Sequence, residues 1–163
     1  MAKQTPTPVS KPRELSFTRI LDAPAAVLFR CWTEPELIKQ WFTPRPWTTP
    51  VVETDVRAGG SSYILMRGPD GTEMPNRGVY LDVVPNERLV FTDAFTSAWQ
   101  PSGKAFMVGA VTFEGTGDGK TRYTATVRHW SEEDCETHKA MGFYDGWGKA
   151  TDQLEALAKS LAV

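Results

Sequence analysis

Residues 51–91 alternate between short apolar runs and turn-forming residues, and this pattern constrains the fold more than any other feature of the chain. The four strand-like runs are Val51–Arg57, Ser61–Arg67, Thr72–Val84 and Arg88–Ala94. Gly-Gly, Pro-Asp-Gly and Pro-Asn separate them, and these residues favour tight turns. Because strands joined by tight turns pair antiparallel, the segment predicts a set of consecutive hairpins.

The alternation within the first of these runs also orients it. Glu53 and Asp55 are separated by Thr54, and Val52 precedes them. Side chains of a strand point alternately to its two faces. We therefore expect Glu53 and Asp55 to face solvent and Val52 and Thr54 to face the protein interior.

The residues before the hairpins predict one strand and two short helices. Glu14–Leu21 alternates as a strand does. Asp22-Ala23-Pro24 has the composition of a helix start, so Ala25–Thr33 is predicted to be helical. A second helix is predicted to follow Pro35 and to end before Pro44.

The residues after the hairpins predict a loop, two more strands and a helical region. The loop is Phe95–Lys104, and the strands are Ala105–Glu114 and Lys120–Trp130. Ser131, followed three residues later by Asp134, approximates a capping box that opens the helical region. The predicted order is strand, two helices, six strands, long helix, an α+β arrangement in which the helix packs on a curved antiparallel sheet.

The C-terminal helix carries an apolar stripe that is interrupted by glycines. Apolar residues recur every three or four positions over residues 143–161. Gly142, Gly146 and Gly148 each lower helix propensity by up to about 1 kcal/mol relative to alanine. Two interpretations stand: the helix approaches the sheet closely, or the glycines leave space for a ligand.

Length and charge restrict the class of protein. A chain of 163 residues predicts one domain, residues 14–163, after a disordered tail at residues 1–13. The net charge of -2 argues against nucleic-acid binding, and there is no apolar run of the length a membrane span needs. Since the N-terminus lacks the apolar core of a signal peptide, Cys31 and Cys135 are expected to be reduced thiols in the cytoplasm.

Two patterns that resemble ligand-binding motifs do not satisfy the requirements of those motifs. Residues 115–121 (GTGDGKT) end like a phosphate-binding loop, but Glu114 stands where that loop needs glycine, and a strand follows. Cys135 and His138 share a helix face with His129 just upstream, yet no second pair of ligands is spaced to complete a zinc site. We therefore expect no metal and no cofactor.

Aromatic and thioether side chains are the remaining signal, because ligand pockets are mostly apolar with a few placed polar groups. His129 is in phase with an apolar strand face, where it is expected to hydrogen-bond within the core or to a ligand. Asp93 is in phase with Phe91, so it either acts as an acid or base in a cavity or caps the strand end. The predicted ligand-binding residues are Trp41, Phe42, Trp47, Tyr63, Leu65, Phe91, Asp93, Met107, Val111, His129, Met141, Tyr144, Trp147 and Thr151.

Nine motifs in one order span the chain from about Glu14 to Leu161. They are Arg19–Pro24 (RILDAP), Trp32-Thr33, Trp41-Phe42, Asp55–Gly60 (DVRAGG), Pro69–Gly71, Gly78–Val83, Glu87–Thr92 (ERLVFT), Thr112-Phe113 and His138–Gly148 (HKAMGFYDGWG). In these motifs the chain resembles the helix-grip proteins of the SRPBCC or START-like superfamily, which includes the birch-pollen allergen type. Within it, the chain is similar to the branch named after the C-terminal domain of the heat-shock-chaperone ATPase activator.

The resemblance implies a seven-stranded antiparallel sheet curved around a long C-terminal helix. Similar proteins include carriers of hydrophobic metabolites, polyketide cyclases, drug-sequestering proteins and chaperone activators, and the fold alone does not choose between them. The first hypothesis is non-catalytic binding of a small hydrophobic or aromatic molecule in a cavity between sheet and helix. The second is a cyclase or lyase using Asp93 and His129. The third is a protein-interaction module with a chaperone partner, and a homodimer also stays open.

Overall fold

A computed structural model describes residues 12–162 of the chain, so residues 1–11 of the predicted tail lie outside the described residues. No helix within residues 12–162 is long and apolar enough to cross a membrane. The elements in chain order are β1 (Glu14–Leu21), α1 (Ala25–Thr33), α2 (Pro35–Trp41), β2 (Thr48–Thr54), β3 (Ser61–Arg67), β4 (Glu73–Val84), β5 (Arg88–Thr92), β6 (Phe95–Thr96), β7 (Gln100–Pro101), β8 (Met107–Gly115), β9 (Thr121–His129), α3 (Glu132–Ala140) and α4 (Phe143–Leu161).

Seven of the strands form one antiparallel sheet in the order β1-β9-β8-β5-β4-β3-β2. This confirms the predicted α+β helix-grip architecture, in which consecutive hairpins build most of the sheet. The segment predicted as a loop, residues 95–104, contains the short hairpin β6–β7 around a 3-10 turn at Ser97–Trp99. Strands of two residues are too short to produce an alternating pattern, so the sequence did not predict this hairpin.

One face of the sheet, here called the inner face, is turned toward the helices. Val52 is buried on this face, and the Thr54 Oγ1 donates to the Thr33 carbonyl at the end of α1, 3.0 Å away. Glu53, between them, is exposed. The predicted alternation of this strand is confirmed.

The predicted long C-terminal helix is divided into α3 and α4. The division lies at Gly142, whose φ of 92° is in the left-handed region that glycine adopts without a steric penalty. Ser131 Oγ accepts a hydrogen bond from the Asp134 backbone N–H at 3.1 Å, which confirms the predicted cap of α3. The chain can therefore turn between two helices without leaving the inner side of the sheet.

The buried apolar side chains form two clusters under the helices. The larger one lies under α1, α2 and the C-terminal half of α4, and the smaller one lies under α3. Phe17 and Trp147 pack against both clusters, so they mark the boundary between them. Buried members of the smaller cluster are Leu15, Val127, Cys135 and Phe143.

We predict that alanine has opposite effects at Gly142 and Gly148. At both positions no heavy atom lies within 4 Å of an added Cβ, so any difference comes from backbone conformation. Gly142→Ala places a Cβ in a left-handed conformation and should lower the free energy of unfolding by about 1–2 kcal/mol. Gly148→Ala, inside α4, should raise it by up to about 1 kcal/mol. Urea unfolding followed by tryptophan fluorescence measures both free energies of unfolding. Equal effects of the two substitutions would contradict a left-handed backbone at Gly142 and a helical one at Gly148.

Candidate functional site

Trp32, Trp41, Phe42 and Phe91 form an aromatic cluster between α1, α2 and the inner face of the sheet. The Trp32 ring centroid is 5.0 Å from that of Trp41, 6.0 Å from that of Phe42 and 5.7 Å from that of Phe91. Gly109 makes the Phe91 position available, because a Cβ there would be 2.4 Å from the Phe91 ring. Three of these rings were predicted site residues. Trp32 was not, although it lies on the apolar side of α1.

The polar atoms of this cluster are hydrogen-bonded within the protein. Trp32 Nε1 donates to the Tyr123 hydroxyl at 3.2 Å, and this hydroxyl also bonds the Thr151 side chain. Trp41 Nε1 donates to the Cys31 carbonyl at 2.8 Å. Burial raises the pKa of the Tyr123 hydroxyl and raises the pKa of the Cys31 thiol to about 11. Both groups therefore stay neutral at physiological pH, and Cys31 is a poor nucleophile.

His129 and His138, the only two histidines of the sequence, are in direct contact. His129 Nδ1 is 2.8 Å from the Phe106 carbonyl oxygen, and its Nε2 is 3.1 Å from His138 Nδ1. Burial, and secondarily the proximity of His129, lowers the pKa of His138 to about 4. His129 therefore has protein partners at both ring nitrogens. The sequence placed it on the inner face but did not predict its contact with His138.

Asp93 stabilises the backbone at the start of β8. Its Oδ1 accepts hydrogen bonds from the backbone N–H groups of Phe106 at 2.8 Å and Met107 at 3.1 Å. The sequence allowed Asp93 either an acid–base role in a cavity or a capping role at the strand end, and these hydrogen bonds match the capping role. The carboxylate is half-buried and already has two charge-assisted hydrogen bonds at one oxygen.

Between the two core clusters, apolar side chains of the inner face are incompletely covered. Phe91 and Met107 of the sheet and Trp147 of α4 are half-buried. Gly146 lies one position before Trp147 on α4, and a Cβ at this position would meet no heavy atom within 4 Å. We use the name inner groove for the region of the inner face around Phe91, Met107, Gly146 and Trp147.

Gly146 belongs to the stripe of α4 that is turned toward the protein. It lies three residues after Phe143 and four before Ala150, both of which are buried. Residues at these spacings share one face of a helix. The open space beside Gly146 excludes close helix–sheet contact as the reason for this glycine. The other interpretation, that the glycine leaves space for a ligand, stays a prediction.

Tyr63 and Leu65 lie on the opposite face of the sheet from the inner groove. Tyr63 pairs with the exposed Glu53, and directly opposed residues of neighbouring strands share a face. The Arg77 guanidinium carbon lies 4.1 Å from the centroid of the Tyr63 ring. The side chain of β3 that shares the inner face with Val52 is Ile64, which the sequence did not single out.

The other predicted site residues are distributed around the groove or within the solid core. Val111 and Thr151 are buried, and Thr151 Oγ1 donates to the Trp147 carbonyl at 2.7 Å. The Trp47 ring lies over Gly68 at the end of β3. Met141 and Tyr144, at the junction of α3 and α4, expose 66% and 46% of their surfaces. Both side chains are therefore too exposed to line the interior of a pocket.

Two open concavities occur elsewhere on the surface. One, of about 440 Å³, is bordered by Pro12, Arg13, Glu14, Arg128, His129 and Glu132. The other, of about 460 Å³, lies at the β5 and β8 ends around Asn86 and Glu114. Among the residues that the structure describes, no group of three or more His, Cys, Asp or Glu side chains is placed to hold a metal ion.

We predict that Gly109→Ala displaces the Phe91 ring and destabilises the protein by about 1–3 kcal/mol, the usual penalty for overpacking a core. The added methyl group would overlap a ring that also stacks on Trp32. Gly115→Ala, at the end of the same strand, is the matched control, because a Cβ there has no neighbour within 4 Å. Thermal unfolding of both variants measures the difference. A Gly109 variant as stable as the control would show that Phe91 is not held in this position.

Comparison with a protein-family model agrees with the fold described above. The family model described as "Activator of Hsp90 ATPase homolog 1-like protein" matches residues 22–159. A search of curated proteins gives no match.

Solved structures of bacterial proteins cover nearly the whole chain. A protein from Nitrosomonas europaea is 36% identical over 94% of this chain and 98% of its own, with a TM-score of 0.89. A protein from Staphylococcus epidermidis is 27% identical, with 93% of each chain covered and a TM-score of 0.75. One from Mycobacterium smegmatis is 25% identical over 92% of this chain and 93% of its own, with a TM-score of 0.78. The predicted resemblance is therefore confirmed, and the chain belongs to the family of activator of Hsp90 ATPase homolog 1-like proteins, with the helix-grip fold.

Proposed function

We propose that the chain binds a small, mostly apolar or aromatic molecule in the inner groove without changing it chemically. The observation that supports this most directly is the open space beside Gly146, which lies on the stripe of α4 that carries the buried Phe143 and Ala150. Phe91, Met107 and Trp147 are half-buried. Covering them with an apolar ligand removes their remaining surface from water, which is favourable.

The size of the ligand follows from the energetics of apolar burial. A dissociation constant of 1 μM corresponds to a binding free energy of about 8.2 kcal/mol. Burial of apolar surface contributes about 25 cal/mol per Å², so this affinity needs roughly 330 Å² of buried apolar surface, before the cost of ordering the ligand and the protein is included. A single aromatic side chain buries about 150–250 Å². The proposed ligand therefore has at least two rings or an equivalent aliphatic surface.

The geometry favours binding over the cyclase or lyase hypothesis. Asp93 Oδ1 accepts two backbone hydrogen bonds, and both ring nitrogens of His129 have protein partners. An acid–base pair must reach the proton that it transfers, and these atoms already hold the β8 start and α3 in place. Each has a structural role that is sufficient to explain its position.

A protein-interaction role is the second candidate, and two observations support it. The family is named for a chaperone ATPase activator. Trp99 and Trp130 each expose 51% of their surfaces, and exposed tryptophans are frequent at protein interfaces. Stimulation of a heat-shock chaperone ATPase that is lost in Trp99→Ala or Trp130→Ala, but kept in a variant with a filled groove, would support this candidate over ligand binding.

A cytoplasmic location is part of the proposal. Cys31 and Cys135 are both free, buried thiols, the usual state of cysteine in a reducing compartment. Their burial also protects them from oxidation in the folded protein.

We predict that Gly146→Leu weakens ligand binding by filling the inner groove. Fluorescence titration with the uncharged probe N-phenyl-1-naphthylamine should show binding to the wild-type protein and at least tenfold weaker binding to Gly146→Leu. Lys149→Leu, at an exposed position of the same helix, is the matched control and should stay within about twofold of wild type. Gly146→Leu should remain folded, because the leucine side chain enters open space beside residue 146.

Equal probe affinity in the two leucine variants would contradict binding in the groove. Native mass spectrometry of the purified wild-type protein provides a second measurement, since it detects a co-purifying molecule and reports whether the chain is a monomer or homodimer. A co-purifying molecule that is lost in Gly146→Leu and kept in Lys149→Leu is the expected result.

A further inference from the structure

The protonation state of the histidine pair, His129 and His138, follows from its hydrogen bonds. A carbonyl oxygen can only accept, so His129 Nδ1 carries a proton and donates to Phe106. In neutral His129, Nε2 is then an acceptor, and His138 Nδ1–H donates to it over 3.1 Å. A proton on His129 Nε2 can be accommodated only if His138 carries its own proton at Nε2, so that His138 Nδ1 accepts. Protons on both facing nitrogens would place two donors against each other at 3.1 Å, so the arrangement excludes the doubly protonated pair.

The histidine pair and Cys135 both attach α3 to the rest of the fold. Cys135 is buried in the smaller core cluster, and His138 is half-buried against rings from two other segments. The His138 ring is 5.1 Å from each of the Phe106 and Phe143 rings. The remaining residues of α3 are exposed, apart from the half-buried Asp134 near its N-terminal cap.

The attachment of α3 is connected to the inner groove through two aromatic rings. His138 contacts Phe143, whose ring centroid is 5.1 Å from that of Trp147. Trp147 borders the groove, and Met107 packs against the same small cluster as Trp147. Movement of α3 away from the sheet would therefore uncover the Phe143 and Trp147 end of the groove.

Burial and the neighbouring His129, rather than a carboxylate or an ammonium group, account for the low pKa of His138. Of the neighbouring groups, His129 is the one whose charge lowers the pKa of His138. Ion pairs engage Glu14 with Arg128 at 2.9 Å and Asp145 with Lys149 at 3.2 Å. The surrounding elements also carry charged groups. They are Arg13 before β1, Glu14 on β1, Asp93 before β8, Arg128 on β9, Asp145 on α4, and Glu132, Glu133, Asp134, Glu136 and Lys139 on α3.

We propose that the histidine pair holds α3 against the sheet while its two facing nitrogens share one proton, and that protonation of both rings releases α3, which opens the inner groove to its ligand. The release of α3 stands on the geometry of the pair and on the burial of His138. Its effect on ligand entry rests on the proposed binding function. The device makes ligand exchange faster in a mildly acidic environment than at neutral pH.

The pH window follows from the direction of the pKa shift. His138 has a pKa of about 4 with α3 in place and of about 6.5 when the ring is exposed to water. The closed state binds fewer protons, so its advantage is complete above pH 6.5 and is lost as the pH falls toward 4. For one such group, opening of α3 should be about 30-fold more favourable at pH 5 than at pH 7.5.

Hydrogen exchange of the α3 amides tests the release directly. Protection factors of residues 132–141 should fall on the order of 30-fold between pH 7.5 and pH 5 in the wild-type protein. His138→Gln, which keeps a neutral donor, should remove this fall. Lys139→Gln, at the neighbouring exposed position, should retain it. Unchanged wild-type protection, or an equal fall in His138→Gln, would overturn the proposal.

A measurement on the wild-type protein keeps the test valid if a histidine variant does not fold. Nitrogen-15 NMR of the two imidazoles distinguishes their tautomers, and both should be protonated at Nδ1 and not at Nε2 at pH 7.5. An Nε2–H tautomer of either ring at this pH would show that the hydrogen-bond chain is arranged differently and would remove the basis of the release.

Binding kinetics separate failure of the release from failure of the proposed function. The association rate of N-phenyl-1-naphthylamine should rise between pH 7.5 and pH 5 in the wild-type protein and in Lys139→Gln, and stay constant in His138→Gln. If α3 exchange changes with pH but the rate does not, α3 does not control entry to the groove. If the probe does not bind at either pH, the binding function is wrong, while hydrogen exchange still decides whether α3 is released.

Discussion

The packing of the Trp32 indole connects the helices to the sheet, and the rest of the structure depends on it. Its ring contacts Trp41 at the end of α2 and Phe91 on β5, and its Nε1 donates to the Tyr123 hydroxyl on β9. That hydroxyl in turn bonds Thr151 on α4. One buried side chain thus sets the distance between both short helices, two central strands and the C-terminal helix. Because interiors pack at near-crystalline density, this distance leaves little freedom in the larger cluster.

Trp147 packs against both core clusters and belongs to the region called the inner groove. Beyond this ring, α4 presents Gly146 to the interior and the sheet presents Met107. A glycine inside a helix lowers the stability of the helix by up to about 1 kcal/mol relative to alanine. The proposed binding function would account for this loss of stability, since sites for ligands are often less stable than the sequence could make them.

Polar side chains around the groove hold the protein's own backbone and side chains. Asp93 caps the start of β8, and Thr151 bonds the Trp147 carbonyl. His129 connects the Phe106 carbonyl to α3 through His138. The side chains named for the inner groove are therefore apolar, and the histidine pair contacts α3. The proposed binding and its proposed dependence on pH need no more chemistry than this.

Local patterns in the sequence determined the order of elements, the antiparallel hairpins and the inward orientation of Val52, because alternation and helical spacing are properties of a few consecutive residues. The same patterns identified three of the four rings of the aromatic cluster and the glycines of α4. They misplaced Tyr63, whose face depends on its pairing with Glu53 on a neighbouring strand. Only the tertiary structure decided which side chains of the inner face meet those of the helices and that two histidines nine positions apart meet at 3.1 Å. Such contacts depend on how whole elements pack, and no local pattern encodes that packing.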